Sequence, residues 1–461
     1  MKYSALEIET IYLAQQQFFK SGVTRSYAFR KAQLAVLKAA IHRNESKLLD
    51  ALQKDLGKSA FESYATEIGL VYSEITYVIK HLRQWMQPKR VPTPLILFPS
   101  SSKVYYEPLG TVLIISPWNY PFNLLIMPLV AAIAGGNTII LKPSELATET
   151  EIIINTIIGE TFEQEYIATV NGTGKLVSNM IETHHFDHIF FTGSTMVGKK
   201  IMEAAAKQLS PVTLELGGKS PCIVDKDANL DFAARRIAWG KWINAGQTCV
   251  APDYLLVHAS VKDKLVQKIS AATNKMFGSN PQQSPDFPRI INDKRWETVA
   301  GYLEEGNIVF GGESDRNDRY IAPTIIENFT ADSKLMQEEI FGPVLPVITF
   351  QEKEEVLDWV NKNPYPLACY VYTSSKNTAA FYRDQIRFGG GAINNSLQHL
   401  GVPGLPFGGV GYSGMNSYHG KTGFLTFSHQ KSMLHTPTWF DTPLLYAPFK
   451  DHVKWLRKML R

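Results

Sequence analysis

From residue 3 to about residue 87, apolar positions recur every three or four residues, as in A-F-R-K-A-Q-L-A-V-L-K-A-A-I and T-E-I-G-L-V-Y-S-E-I-T-Y-V-I, with charges on the remaining faces. That period predicts a run of amphipathic helices. Pro88, Pro92, Pro94 and Pro99 then punctuate a segment that cannot be helical, and 103–106 alternates like an exposed strand. Such an excursion suits either an arm that pairs with another subunit or a surface loop. After Gly110 short apolar runs at 111–116, 138–142, 166–170, 188–192 and 212–216 read as strands, separated by helical stretches at 123–134, 148–159, 174–181 and 196–209. The alternation predicts a parallel, doubly wound sheet, whose ligands bind at the carboxyl ends of its strands. A second α/β unit begins near Gly217, with strands expected at 222–224, 254–258, 307–310, 344–350 and 369–373 and helices at 230–244 and from 261. Glycine crowds 388–423, which predicts loops beside a site rather than regular structure.

Length and charge narrow the class. A chain of 461 residues exceeds one ordinary core, so two large domains are expected. Cys222, Cys249 and Cys369 form neither a C-x-x-C pair nor an even framework, which suits a reducing cytoplasm. The first residues carry acids where a signal peptide needs an apolar region, and no run approaches the ~18 apolar residues of a membrane span, so a soluble protein is expected. Between 450 and 461, Lys450, Lys454, Arg457, Lys458 and Arg461 face one acid, Asp451, and this difference equals the whole net charge of +4. The body therefore gives no sign of the basic face that nucleic acid requires.

The candidate chemistry centres on N-A-G-Q-T-C-V-A-P-D-Y at 244–254, where small and polar residues crowd Cys249 in what reads as an irregular loop. A free cysteine is ordinarily a small packed hydrophobe. Here, however, Glu215 in T-L-E-L-G-G-K-S-P and Asn119 in S-P-W-N-Y-P-F offer a base and an amide donor, the parts that covalent acyl chemistry adds to a nucleophile. Asn119 follows the first expected strand, Lys142 and Glu145 the second, Gly193 and Ser194 the fourth, and Glu215 ends the fifth. The fingerprint G-x-G-x-x-G is missing after the first strand, which disfavours an ordinary Rossmann dehydrogenase. G-S-T-M-V-G-K-K at 193–200 fails as a nucleotide phosphate loop because Lys200 replaces the magnesium-binding hydroxyl. What remains is a strand entering a helix N-terminus, which can hold a pyrophosphate. Lys142 and Glu145, in L-K-P-S-E, suit either ribose hydroxyls or a solvated pair. His184, His185 and His188 in H-H-F-D-H lack a further ligand set, and no metal is expected.

Together S-P-W-N-Y-P-F, L-K-P-S-E, F-F-T-G-S, L-E-L-G-G-K-S-P, G-Q-T-C-V-A-P-D-Y, E-E-I-F-G-P-V and P-F-G-G-V-G-Y-S-G-M resemble the NAD(P)-dependent aldehyde dehydrogenases. The last run, continuing through Y-H-G-K and T-F-S-H-Q-K, is similar to the class 3 branch, which includes fatty and aromatic aldehyde dehydrogenases. The resemblance spans about 107–431. It implies an α/β chain with a doubly wound, Rossmann-like cofactor domain at 1–89 and 109–217 and a second α/β catalytic domain at 218–410. An oligomerisation arm at 90–108 and 423–440 and a basic tail at 441–461 would complete it. It makes Cys249 the nucleophile and Glu215 the base, with Asn119 and the Cys249 N–H as the oxyanion hole. Trp118, Lys142, Glu145, Gly193, Ser194, Glu339 and Phe341 would bind the cofactor, and His419 would sit near cofactor or substrate. The cofactor would be NAD or NADP, with NAD preferred because the Glu145 anion repels the extra phosphate. A cytoplasmic homodimer oxidising an aldehyde is implied. An acylating enzyme using coenzyme A or phosphate would not need Glu215, and a catalytically silent protein would be free to lose Cys249. In the tail, Val453, Leu456 and Leu460 share a helical face beside Trp455 and Met459, suiting a packed element or contact with an anionic membrane surface.

Overall fold

Four long helices, Ala5–Lys20, Tyr27–Arg43, Glu45–Leu56 and Gly69–Trp85, fill the region of helical period. The computed structural model describes residues 4–443, 446–449 and 451–460. Met1, Lys2 and Tyr3, and the tail cations Lys450 and Arg461, lie outside the described residues. Ser4 opens the first helix with a reciprocal box, its side chain accepting from the Glu7 N–H while Glu7 accepts from the Ser4 N–H. Leu34, Leu37 and Ile41 pack with Val71, Ile75, Val78 and Leu82 in the core that also backs the first sheet. Just before the fourth long helix, Tyr64–Ile68 forms one π turn, closed by the Gly69 N–H on the Tyr64 carbonyl five residues back. On an α-helix, residues five apart point about 140° apart. The extra residue brings Glu62 and Glu67 to the same inner side, and both are buried.

The first sheet has the strand order Gly414–Met415, Val212–Glu215, His188–Thr192, Thr111–Ile115, Thr138–Lys142, Ile167–Thr169. All its pairings are parallel except that of Gly414–Met415. The chain starts in the middle, winds outward through Thr138–Lys142 and Ile167–Thr169, and then returns to the other side. The crevice between Thr111–Ile115 and His188–Thr192 is therefore the switch point at which such sheets bind ligands. Uninterrupted apolar runs form these strands because helices cover both faces; Asn123–Gly135, which follows the first strand, is buried almost throughout.

A second sheet has the order Asn307–Phe310, Thr324–Glu327, Val344–Phe350, Tyr254–His258, Pro221–Val224, Ala368–Tyr372, Gly390–Ile393, parallel apart from its first pair. Several sequence expectations need correction. The glycine-rich stretch contains the strand Gly390–Ile393, where loops were expected. A side chain at Gly391 would meet the Cys369 carbonyl at 2.1 Å, so the glycine serves close strand pairing. Thr324–Glu327 was not anticipated. The helix expected at 230–244 stops at Trp242, because Asn244 and Ala245 take left-handed φ values of 52° and 49°. The helix expected at 196–209 is Thr195–Ala206.

A third sheet, Lys89–Val91, Ser101–Pro108 and Ser428–His435, projects as an antiparallel ribbon whose long pairing runs from Ser101 opposite His435 to Pro108 opposite Ser428. Its last strand begins after the helix Gly420–Thr426, so position 423 belongs to a helix packed on Asn123–Gly135 and not to the ribbon. Among the described residues, no helix is long and apolar enough to cross a membrane.

Candidate active site

Strand register brings the predicted residues to one edge. Ile115 lies opposite both Lys142 and Phe191, and Thr192 opposite Glu215, so Asn119, Lys142, Gly193 and Glu215 share the carboxyl end of the first sheet. The Gly193 N–H donates to the Glu215 carbonyl at 3.0 Å. Cys249 reaches this edge from the second sheet's side. After the left-handed pair Asn244 and Ala245, the Gln247 side chain pegs the loop. Its amide donates to the carbonyls of Asn244 and Arg289, and its oxygen accepts from the Ile291 N–H, each at 3.0 Å. The Gln247 carbonyl accepts from Asn119 Nδ2 at 3.0 Å, and Thr248 shares a hydroxyl contact of 2.6 Å with Tyr120.

Thus held, half-buried Cys249 lines a cavity of about 890 Å³ with Glu62, Tyr120, Met127, Trp239, Phe407 and His419 among its walls. Burial pushes the Cys249 thiol up to about 12, the carboxyl groups of Glu339 and Glu215 add to the rise, and the N–H groups of Cys249 and Val250 oppose it. Burial also holds Glu215 well above the carboxylate range, and neither of its carboxyl oxygens has a partner. At about 12, the Cys249 thiol is protonated at neutral pH. His419 is buried, stacked on Phe407 at 5.5 Å, and pushed down to about 4 by burial, so it is neutral.

The other side of the edge carries the cofactor candidates. Ser194 caps the helix Thr195–Ala206, accepting from the Val197 N–H, and leaves the N–H groups of Thr195 and Met196 free of its own side chain. Lys142 and Glu145 form an ion pair with each other. The Trp118 and Phe341 rings meet edge to face at 5.4 Å. A cavity of about 360 Å³ runs between Thr195, Gly217, Gly218, Lys219, Glu339 and Tyr412. A helix N-terminus, bare glycine backbone and a carboxyl group around one hollow fit a dinucleotide's pyrophosphate and ribose. Burial pushes Glu339 up to about 8, with Asp253 adding to the rise.

Two buried ion pairs were not anticipated. Lys219 pairs with Asp253 and donates to the carbonyls of Leu335 at 2.9 Å and Glu338 at 2.8 Å, while Asp253 accepts from the Ile340 N–H at 2.9 Å. The segment that presents Glu339 is thereby pinned on both sides. Lys219 and Asp253 stand inside two of the motifs, so burial of charge there was the available signal. The second pair, Lys58 and Glu67, comes from the helical region, where its charges read as a solvated face. The histidines of H-H-F-D-H bond to different groups, His184 to Glu9, His185 to the Gln208 carbonyl and His188 to Thr213.

A doubly wound sheet with a helix N-terminus and bare glycine backbone around a hollow at its carboxyl edge suits a nicotinamide-dependent oxidoreductase. Residues 3–433 match the model of the aldehyde dehydrogenase family, and the chain belongs to that family. It is an NAD(P)-dependent enzyme that oxidises aldehydes. Among its relatives is the 4,4'-diaponeurosporen-aldehyde dehydrogenase of Staphylococcus aureus, 47% identical over 98% of this chain and 99% of that protein. Human aldehyde dehydrogenase family 3 member B1 is 43% identical over 91% of this chain and 89% of its own. A solved structure of Staphylococcus aureus AldH in a substrate-bound state superposes with a TM-score of 0.96 at 46% identity, covering 98% of this chain and 99% of that one.

Proposed function

We propose that Cys249 is the nucleophile, Glu215 the general base, and Asn119 Nδ2 with the Cys249 N–H the oxyanion hole. The observation that carries this reading is the unpartnered, buried carboxyl of Glu215 on the same edge as a thiol that opens into the large cavity. Lys142 and Glu145 would hold the adenosine ribose, Gly193 and Ser194 would adjoin the pyrophosphate, and Trp118, Glu339 and Phe341 would flank the nicotinamide end. Bound NAD(P) supplies the hydride acceptor. The Cys249 sulfur adds to the aldehyde carbon and its proton passes to solvent water, while Asn119 and the Cys249 N–H take the negative charge of the oxygen. Loss of hydride from that carbon leaves a thioester on Cys249. Glu215 then takes a proton from water, the hydroxide adds to the acyl carbon, and the carbon–sulfur bond breaks; the acid's proton passes to the departing sulfur, leaving a carboxylate and the Cys249 thiol, and Glu215 returns its proton to solvent.

Discharge to water, rather than to coenzyme A, follows from a base with no other partner. We assign NAD as the preferred cofactor, on the charge of Glu145, and a cytoplasmic homodimer joined through the projecting ribbon. The domains take the bounds given by the resemblance, except that the ribbon's last strand starts at Ser428. The Staphylococcus aureus relative is named for 4,4'-diaponeurosporen-aldehyde. The mostly apolar wall around Cys249 favours apolar aldehydes for this chain. The exposed helix His452–Met459 sets Val453, Leu456 and Met459 on a face away from Lys454 and Lys458, with the Lys458 ammonium 5.7 Å from the centre of the Trp455 ring. It is read as a packing element on a partner subunit, with an anionic membrane surface the alternative occupant. A panel of aliphatic and aromatic aldehydes, followed by absorbance of reduced cofactor with analysis of the product acid, tests the activity, and light scattering tests the dimer. Release of a coenzyme A thioester instead of an acid would reject hydrolysis.

A further inference from the structure

Lys58 is fully buried, yet the chemistry above makes no use of it. Its ammonium pairs at 2.6 Å with Glu67, which is equally sealed from water. A buried ion pair gains little net stability over apolar packing, so its presence asks for another reason. The geometry supplies one. Lys58 also donates to the Asn119 carbonyl at 3.1 Å and lies 4.1 Å from the centre of the Tyr120 ring. The same carbonyl accepts from Asn244 Nδ2 at 2.8 Å. On the far side of the turn, the second carboxyl oxygen of Glu67 accepts from the N–H groups of Phe122 at 3.0 Å and Asn123 at 3.3 Å, where the helix Asn123–Gly135 opens. The pair thus grips residues 119–123 at both ends.

Asn119 Nδ2 carries two hydrogens, and one is engaged by the Gln247 carbonyl at 3.0 Å. The direction of the second is then set by the backbone beneath the side chain. A misplacement of about 1 Å at a reacting centre is enough to slow a reaction by about a hundredfold. We propose that the Lys58–Glu67 ion pair is a positioning device for the oxyanion hole, holding the 119–123 turn so that the free N–H of Asn119 meets the developing oxyanion. The inference rests on Asn119 being an oxyanion donor.

The test is the rate of the first burst of reduced cofactor in the full-length enzyme, measured for wild type, Lys58→Met, Asn119→Ala and the double variant. Asn119→Ala is expected to slow the burst by about a hundredfold or more. Lys58→Met is expected to slow it by about tenfold or more, with cofactor KM and the rate of Cys249 alkylation by iodoacetamide near wild type. The double variant should be no slower than Asn119→Ala, because both changes act through one donor. A wild-type burst in Asn119→Ala would reject the oxyanion assignment itself. A slowed Asn119→Ala with a wild-type burst in Lys58→Met, or fully multiplicative effects in the double variant, would overturn the positioning role. Should Lys58→Met fail to fold, Glu67→Gln keeps the shape without the charge: a slowed burst with unchanged alkylation supports the proposal, and a wild-type burst overturns it.

Discussion

The carboxyl group of Glu339 lies directly against the α-carbon of Gly217, so that a Cβ at that glycine would stand 2.0 Å from Oε2. Gly217→Ala must therefore displace Glu339. If Glu339 holds the nicotinamide ribose, affinity for NADH should weaken by at least about tenfold, or ~1.4 kcal/mol. Fluorescence titration measures this, with circular dichroism as a control for folding. Unchanged affinity would remove Glu339 from the cofactor site.

Replacing Cys249 and Glu215 should separate the two halves of the reaction. Cys249→Ala should abolish both hydride release and active-site labelling by thiol reagents. Glu215→Gln should still give one burst of reduced cofactor and then stall as the acyl-enzyme, visible as an added mass on Cys249. Steady turnover at the wild-type rate by either variant would contradict the assignment.

Glu145 is paired with Lys142 and partly exposed. Its negative charge beside a ribose would disfavour the additional phosphate of NADP. Glu145→Gln should then raise the NADP to NAD ratio of kcat/KM several-fold, read from initial rates with each cofactor. A constant ratio would place Glu145 elsewhere.

Because the Cys249 thiol is pushed up to about 12, its reactive anion is scarce at neutral pH and grows about tenfold per pH unit below that value. Alkylation of the free enzyme by iodoacetamide should accelerate steadily from pH 7 to pH 9. Glu339, pushed up to about 8, gains its own charge inside that window and opposes the rise. Glu339→Gln should therefore speed alkylation chiefly above pH 8. A plateau already at pH 7 would mean that the thiol is ionised by some other route.

Stability should carry a pH signature from Glu74. Burial pushes its carboxyl up to about 7; one oxygen accepts from the Gly420 N–H at 2.7 Å and the other has no partner. A folded-state pKa raised above the unfolded value of 4.5 favours the folded protein below that value and loses its benefit as pH climbs through 7. Glu74→Gln should therefore gain on wild type between pH 5 and pH 8, by at most about 3 kcal/mol, with little change in the gap below pH 4.5. Thermal unfolding of both proteins across that range reads the difference.

The doubly wound sheet was legible because strands covered on both faces are uninterrupted apolar runs, and the cysteine loop because small polar residues crowd one thiol. Gly390–Ile393 was not, since glycines that permit close pairing look the same on paper as glycines that permit turns. Lys58 and Glu67 stayed hidden for a different reason: Lys58 sits in the link at 57–59 between two helices, and on a helix of regular period Glu67 would face water. The wide turn at Tyr64–Ile68 turns Glu67 inward, and hydrogen-bond spacing is not written in hydropathy. The Gly217 and Glu339 contact likewise depends on how Lys219 and Asp253 pin a distant segment.

That wide turn also makes the segment intolerant of a single lost residue. Deleting Ala65 would let Tyr64–Ile68 relax into ordinary helix, which rewinds everything on one side by about 100°. Lys58 and Glu62 would then swing out of phase with the scaffold set by Glu67 and the helix Gly69–Trp85. The cavity that Cys249 lines is therefore shaped by a count of residues distant from it along the chain, since Glu62, Ala65 and Thr66 form part of its wall, and chain length there acts as a phase setting.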